Sequence, residues 1–519
     1  MSHVRSNKSK QPAESKTQDV FAKRRKKLLD QFKNNQLIII PAHAVSQRNR
    51  DVEYLYHQDS NFYYLTGFNE PESIAVLAPG RKEGEYILFN RPKDPEKETW
   101  TGKHAGLEGA ISEYGADQAF PISEFKKRLS ELLKKRTTIF YTIKDKRDLD
   151  KDIEKTILNI KPNGLTKIKY DDISATLAEM RLIKDDEEIA LIKKSIDISK
   201  KGHLAAMQNC RPGMYEYQLE AKLMHEFLDN GSQALSYPNI VASGENSCTL
   251  HYEENNKQIK EGDLVLIDAG AEYHNYSSDI TRTFPANGKF TKEQRAIYDL
   301  VLKAQQEAIK CTAPGITWTD IETVVATTLT QGLIDLGILK GDLETLFNEQ
   351  AYKPFYMHGS GHWMGLDVHD VGEYDIPFEV GMIHTIEPGI YIKPSPDVDK
   401  RWHNIGVRIE DDILITKDGC EVLSRALPSK AEEIEALMSK SRADNDFDGK
   451  SSTAKSLATL KRLDPIVIDI NKNKIKEESE NAKSINRKPR LFKQPHKTTP
   501  APDQHEPIAT RLRSRNVTL

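Results

Sequence analysis

Cysteine is scarce in this chain, with four among 519 residues. Cys210, Cys248, Cys311 and Cys420 lie far apart without a C-x-x-C pair, which excludes a disulfide framework and a zinc-finger pattern and marks them as reduced thiols. Long apolar runs are missing too. None approaches the ~20 residues that a membrane span requires. Residues 1–17 lack the apolar stretch of a secretory signal, and Glu14 and Asp19 fit a transit peptide poorly. No membrane association and a cytoplasmic location are the expectation. An excess of one charge is also absent: 75 Lys and Arg meet 78 Asp and Glu, and the net charge of -3 exerts no general pull toward nucleic acid or a lipid surface. The chain has no internal repeat.

What is present describes a globular protein with strongly polar extra sequence: 38% hydrophobic and 29% charged residues, with a mean hydropathy of -0.62. A chain of 58.9 kDa exceeds what one core usually covers, so two domains with accessory segments are expected. Residues 1–18 read as a disordered N-terminus, and Phe21 to Phe32, with Leu28 and Leu29, suits a first amphipathic helix. Short apolar, β-branched runs follow at Leu37 to Ile40, Ser73 to Leu77 and Tyr86 to Phe89, which makes 19–172 an α/β domain. The texture then changes. Asp185 with Glu188 resembles a capping box ahead of Ile189, Ile192 and Ile196 on one helical face; a second helix is expected from Met214 to Asn230, closed by Gly231, and Thr291 with Gln294 opens a third. Strand-like runs at Leu264 to Ile267, Ile383 to Ile392 and Val407 to Ile415 alternate with helices irregularly, so 173–436 reads as α+β. Residues 443–519 form a polar, basic, disordered tail, with nine Lys or Arg from Ala482 onward against Asp503 and Glu506. A basic arm that touches nucleic acid is the alternative reading of that tail.

The chemistry lies in the second half and consists of oxygen and nitrogen donors. Asp268 ends the run Leu264 to Ile267, and Asp279 follows beyond a turn with Gly270; alone this pair is ordinary turn chemistry, although two strand-end aspartates can converge across a hairpin. Three histidines, His358, His362 and His369, crowd into a glycine-rich stretch that is poor helix, which favours a site over isolated core histidines. Glu387 stands in an apolar run before Pro388 and Gly389, and Glu410 ends Val407-Arg-Ile-Glu. Acids inside apolar strands are costly unless something positive compensates them. Two Asp, two Glu and one His suit a hard to borderline divalent ion, Mn²⁺ or Co²⁺ before Zn²⁺. Two such ions about 3.5–4 Å apart would lower the pKa of a water enough to make a nucleophile.

At these residues the chain resembles the pita-bread metallopeptidases. IDAG with Asp268, SSDITRTFP with Asp279, HGSGHWMGLDVHDVG with His362, IEPGIYI with Glu387 and GVRIEDD with Glu410 are similar to that family's five metal-ligand motifs. HQDSNFYYLTGFNEPES, Leu88 to Asn90 with Trp100, and SGENSCTLHY ending at Tyr252 resemble its aminopeptidase P branch. The resemblance runs from about residue 20 to about residue 442 and does not touch the tail. It implies an α/β N-terminal domain followed by a pita-bread (creatinase/aminopeptidase-like) catalytic domain, α+β as a whole, releasing the first residue from peptides with proline second. It further implies two divalent metal ions per subunit, Mn²⁺ first, held by Asp268, Asp279, His362, Glu387 and Glu410, with Asp279 and Glu410 bridging. Glu387 would double as general base. His251 and His369 would hydrogen-bond the substrate and its tetrahedral intermediate. His358, Arg408 and Tyr391 would line the proline side, although a surface arginine is the plain alternative for Arg408; Asp51 would pair with Arg408. Trp100 would reach a neighbouring subunit's site in a dimer or tetramer, or else pack inside its own domain. A prolidase restricted to Xaa-Pro dipeptides is the nearest alternative. A creatinase-like enzyme or a catalytically silent pita-bread binding module would have lost the ligands present here.

Overall fold

The computed structural model describes residues 13–142 and 168–442; the polar tail 443–519 and most of the expected N-terminal disordered segment lie outside the described residues. The first helix starts earlier than expected, spanning Ala13–Leu29, so 13–18 are helical.

The N-terminal domain is built on a six-stranded mixed sheet. Its strands are β1 (Gln36–Pro41), β4 (Ile74–Leu77), β5 (Tyr86–Asn90), β6 (Gln118–Pro121), β7 (Thr138–Tyr141) and β8 (Lys169–Asp172), in the order β6-β5-β4-β1-β7-β8. A small hairpin, β2 (Gln47–Asn49) with β3 (Val52–Glu53), stands apart from it. Strand β1 is an unbroken apolar run because both faces of the sheet are covered. With side chains alternating along the strand, Leu37 and Ile39 face Phe125, Leu129 and Leu133, whereas Ile38 and Ile40 join Phe62, Leu65 and Leu28 in the main core.

The second domain opens as the capping box predicts. Asp185 accepts from the amides of Glu187 and Glu188, Glu188 returns a bond to the Asp185 amide, and the helix Asp186–Asn209 follows. The next helix, Glu216–Asp229, starts two residues later than expected: Tyr215 is its extended N-cap residue, and the Gln218 side chain accepts the Tyr215 amide at 2.8 Å. Thr291 caps Lys292–Cys311 through Gln294, also as expected. Two antiparallel three-stranded sheets carry the centre: β10 (Ile240–Ser243), β11 (Leu264–Asp268) and β13 (Thr281–Pro285), then β14 (Ile383–Ile386), β17 (Asp411–Thr416) and β18 (Gly419–Val422). Strands β9 (Ala234–Leu235) with β12 (Ala271–Glu272), and β15 (Gly389–Ile392) with β16 (Ile405–Arg408), form two-stranded pairs.

Both long runs expected as single strands are broken at their acidic residue. Glu387 and Pro388 separate β14 from β15, and Ile409 and Glu410 separate β16 from β17. Proline cannot donate to a ladder, and the Glu410 amide turns to the carbonyl of Thr281 at 3.1 Å. The register resumes on either side, Ile386 opposite Asp411 and Gly389 opposite Arg408. Each break therefore hands the chain from one sheet to the other and leaves a carboxylate at the crossing.

The two halves share one apolar core and a polar seam. Arg24 bonds Asp185 at 2.8 Å, and His57 lies 2.8 Å from Glu272. No helix among the described residues is long and apolar enough to cross a membrane.

Candidate active site

Asp268 and Asp279 converge as a hairpin allows. Asp268 ends β11, opposite Thr281 in the β13 register, and Asp279 stands two residues before that strand. Gly270 makes the approach possible: a Cβ there would lie 1.8 Å from the carbonyl oxygen of Ser278. His362 comes from irregular backbone laid directly on β14. Its amide donates to Thr385 Oγ1 at 3.1 Å and its carbonyl accepts from the Thr385 amide at 2.9 Å. A Cβ at Gly361 would sit 2.1 Å from the Thr385 carbonyl oxygen, so the loop tolerates no side chain there.

These elements gather the expected ligands around one cleft of ≈ 350 Å³, which Asp268, Asp279, His362, Glu387 and Glu410 line together with Tyr237, His251, His358, His369 and Arg408. One donor atom each from Asp279, His362 and Glu410 lies within 4.8 Å of the others. His362 Nε2 is 3.3 Å from Asp279 and 3.8 Å from Glu387. Its Nδ1 is 3.0 Å from the Trp363 carbonyl, which places the proton on Nδ1 and turns the Nε2 lone pair toward the carboxylates.

Charge in the cleft is unbalanced. Four buried or half-buried carboxylates face one guanidinium, Arg408, which bonds Asp268 at 2.5 Å. Burial, and after it the neighbouring Asp268, raises the Asp279 carboxyl well above its ordinary range; burial and then Asp279 do the same to Glu410. Burial and the Glu410 charge push Glu387 up to about 8. A bound cation removes this penalty, and four carboxylates with one imidazole lone pair form a donor set that fits divalent metal.

One wall of the cleft is a hydrogen-bond chain. Arg408 donates to the Tyr391 hydroxyl at 2.9 Å, that hydroxyl meets His358 Nε2 at 2.8 Å, and His358 Nδ1 meets the Gly359 carbonyl at 2.8 Å. Burial holds His358 down to about 4, with Arg408 adding to it, so the ring is neutral. His369 packs edge-on to His362 with ring centroids 4.3 Å apart.

Two expectations need correction. Asp51 does not pair with Arg408: it is exposed in the turn between β2 and β3, whereas Arg408 is 3% exposed and spends its N–H groups on Asp268, Tyr391 and Thr281. Arg408 is accordingly no surface arginine. Trp100 does not pack inside its own domain; it is 87% exposed on a short helix, Pro95–Thr101, that buries none of its residues.

Three residues of the site carried no assigned role in the sequence. The Tyr237 hydroxyl stands between Asp268 and Asp279, 2.6 and 2.5 Å away, and nothing around Ser236-Tyr-Pro announces it. Thr281 donates to Glu410 at 2.7 Å, and Asp412 accepts the Asp279 amide at 3.2 Å. Both fall inside motifs already singled out, but their partners are distant in sequence.

Comparison with known proteins agrees with this geometry. Residues 190–417 match metallopeptidase family M24, and residues 21–141 match the aminopeptidase P N-terminal domain. The chain is 43% identical over 422 residues to the Xaa-Pro aminopeptidase of Haemophilus influenzae, an alignment spanning 80% of this chain and 96% of that protein. Among solved structures it is similar to Pseudomonas aeruginosa aminopeptidase PepP, with a TM-score of 0.81 and 46% identity over 82% of this chain and 99% of that one. Escherichia coli aminopeptidase P with the inhibitor Pro-Leu gives a TM-score of 0.80 and 42% identity, with the same coverage.

Proposed function

This chain belongs to metallopeptidase family M24, with an aminopeptidase P N-terminal domain, and we propose that its Xaa-Pro aminopeptidase activity runs on the ligand set Asp268, Asp279, His362, Glu387 and Glu410. It is a metalloaminopeptidase that releases the first residue from peptides with proline second. The observation that supports the assignment most is the convergence of donor atoms from Asp279, His362 and Glu410 within 4.8 Å, inside a cleft that Asp268 and Glu387 also line. We propose two ions, Mn²⁺ first, since oxygen donors outnumber the single imidazole.

Ions held by these five residues would supply Lewis-acid polarisation of the scissile carbonyl and a water acidic enough to act as nucleophile near neutral pH. The protein's own groups do the rest. Glu387 is the proton carrier: it lines the cleft among the ligands, 3.7 Å from His358 Nδ1, where its carboxylate can take the proton that the nucleophilic water loses and pass it to the leaving proline nitrogen. His251 and His369 reach the cleft and are positioned to donate to the carbonyl as charge builds on its oxygen. The neutral His358 ring, which lines the cleft and is held from behind by the buried Tyr391 hydroxyl, offers an uncharged wall to the proline. An Xaa-Pro amide has no N–H, so such a wall loses nothing by offering no acceptor there.

We further propose a domain boundary at 172/173, where β8 gives way to the helix Ser174–Leu182. A homo-oligomer is supported by the exposed Trp100 and by Val52, Tyr54 and Leu55, all exposed around the β2–β3 hairpin. Four free cysteines are consistent with a cytoplasmic location. Substrate length separates this reading from a prolidase: purified chain with Mn²⁺ is expected to cleave Xaa-Pro-Yaa tripeptides and longer peptides. Turnover confined to Xaa-Pro dipeptides would replace the aminopeptidase assignment.

A further inference from the structure

The loop that carries His362 and His369 has no helix and no ladder of its own beyond an isolated bridge at Trp363, so something else must fix it. Its far half is held by an ion cluster at the seam between the domains. Arg181, 2% exposed on the helix Ser174–Leu182, bonds Asp367 at 2.8 Å and also bonds Asp370. Lys184 reaches the other oxygen of Asp370 at 3.2 Å, and the two cations match the two carboxylates. The N-terminal domain closes the cluster: Asn61 accepts from Arg181 at 2.8 Å, and Ser60 donates to Asp367 at 2.5 Å.

These anchors bracket His369 in sequence, Asp367 two residues before it and Asp370 one after. The Asp370 amide ties back to the Trp363 carbonyl at 2.8 Å. The loop folds so tightly on the Asp370 carboxylate that a Cβ at Gly365 would stand 2.1 Å from it. Val368 and His369 line the cleft, and among the described residues no hydrogen bond to its own ring holds His369. Its imidazole is therefore aimed by the edge-on contact with His362 and by the backbone; bonds from Met364 to Ile383 and from Ser277 to Gly365 hold the near half of that backbone, and the cluster holds the half on either side of His369.

We propose that Arg181 is a positioning residue for hydrolysis: through Asp367 and Asp370 it fixes the presentation of His369 to the substrate, with Ser60 and Asn61 making the N-terminal domain part of the brace. This rests on the aminopeptidase reading above. It gives the docking of the N-terminal domain a direct effect on turnover.

The test is a set of cycles on the Mn²⁺-loaded full chain with an Xaa-Pro-Yaa peptide, using Asp367→Asn, Ser60→Ala and Arg181→Lys in wild-type and His369→Ala backgrounds. Asp367→Asn and Ser60→Ala alter half-buried positions outside the lining of the cleft, so they remain informative if Arg181→Lys fails to fold. In the wild-type background Asp367→Asn is expected to lower kcat by about tenfold or more, since small misplacements of a catalytic group are expensive. KM, the Mn²⁺ half-saturation and the melting temperature of that variant should change little. In the His369→Ala background the same substitution should cost less than about twofold, because residues acting as one unit are not additive. Unchanged kcat in Asp367→Asn, or an equal loss in both backgrounds, overturns the proposal. A wild-type chain that leaves such peptides intact overturns the aminopeptidase reading instead, so the two failures are distinguishable.

Discussion

Replacing Gly270 by alanine is expected to disable the site without touching any ligand. The backbone of Gly270 is not in the left-handed region, so the substitution introduces no torsional strain; its cost is steric. The added Cβ would lie 1.8 Å from the Ser278 carbonyl oxygen, against the 3.0 Å below which real Cβ contacts essentially never fall, a deficit of 1.2 Å. The obstructing atom is backbone and cannot swing aside. Since Gly270 follows Asp268 by two residues and Ser278 adjoins Asp279, relief must come by spreading those two carboxylates by roughly 1 Å, a misplacement that typically costs about a hundredfold in rate. Overpacking of this kind also destabilises by about 1–3 kcal/mol. The assay is Mn²⁺ titration of peptidase activity, with urea unfolding in parallel. Gly213→Ala is the control: φ is +93° and nothing lies within 4 Å, so it should cost about 1 kcal/mol of strain and leave Mn²⁺ half-saturation unchanged. A Gly270→Ala chain with wild-type kcat and Mn²⁺ half-saturation would refute the view that this contact sets the spacing of the aspartates.

Glu387→Ala is predicted to abolish turnover while peptide binding survives, as read by kinetics and calorimetry; retained activity contradicts the proton-carrier role. Acid stability carries the signature of His203, which burial holds down to about 4. Between pH 6.5 and 4 the unfolded chain takes up this proton and the folded chain does not, so the contribution weakens as pH falls, by about 1.4 kcal/mol per pH unit for one proton. His203→Gln should flatten the acid limb of denaturation midpoints by about that slope, and parallel limbs would argue against it. Trp100→Ala should leave protomer stability within about 0.5 kcal/mol, as surface changes do, yet lower the assembled mass in light scattering or reduce kcat/KM; no change in either removes Trp100 from the oligomer proposal.

Much of this was legible in sequence because local chemistry wrote it there. The capping boxes at Asp185 and Thr291 marked helix starts to the residue, and the apolar, β-branched run Leu37 to Ile40 marked a strand of an α/β domain. The convergence of Asp279, His362 and Glu410 was readable as a candidate because carboxylates and histidines in apolar or glycine-rich surroundings are costly without a cation. Strand breaks were hidden: Ile383 to Ile392 and Val407 to Ile415 keep an apolar pattern straight through Glu387 and Glu410, and only tertiary pairing shows the chain changing sheets there. Tyr237, Asp412 and Arg181 could not be assigned, since each acts on a partner brought near by folding. The same limit explains Asp51, whose supposed partner Arg408 is taken by Asp268 and Tyr391.

The central claim is metal-dependent hydrolysis at one cluster, and metal removal and return test it most directly. Chelator-treated chain should leave an Xaa-Pro-Yaa peptide intact, and added Mn²⁺ should restore release of its first residue in the wild type but not in the Asp279→Asn, Glu410→Gln double variant. Full activity in the chelated protein, or recovery in the double variant equal to wild type, would contradict the account.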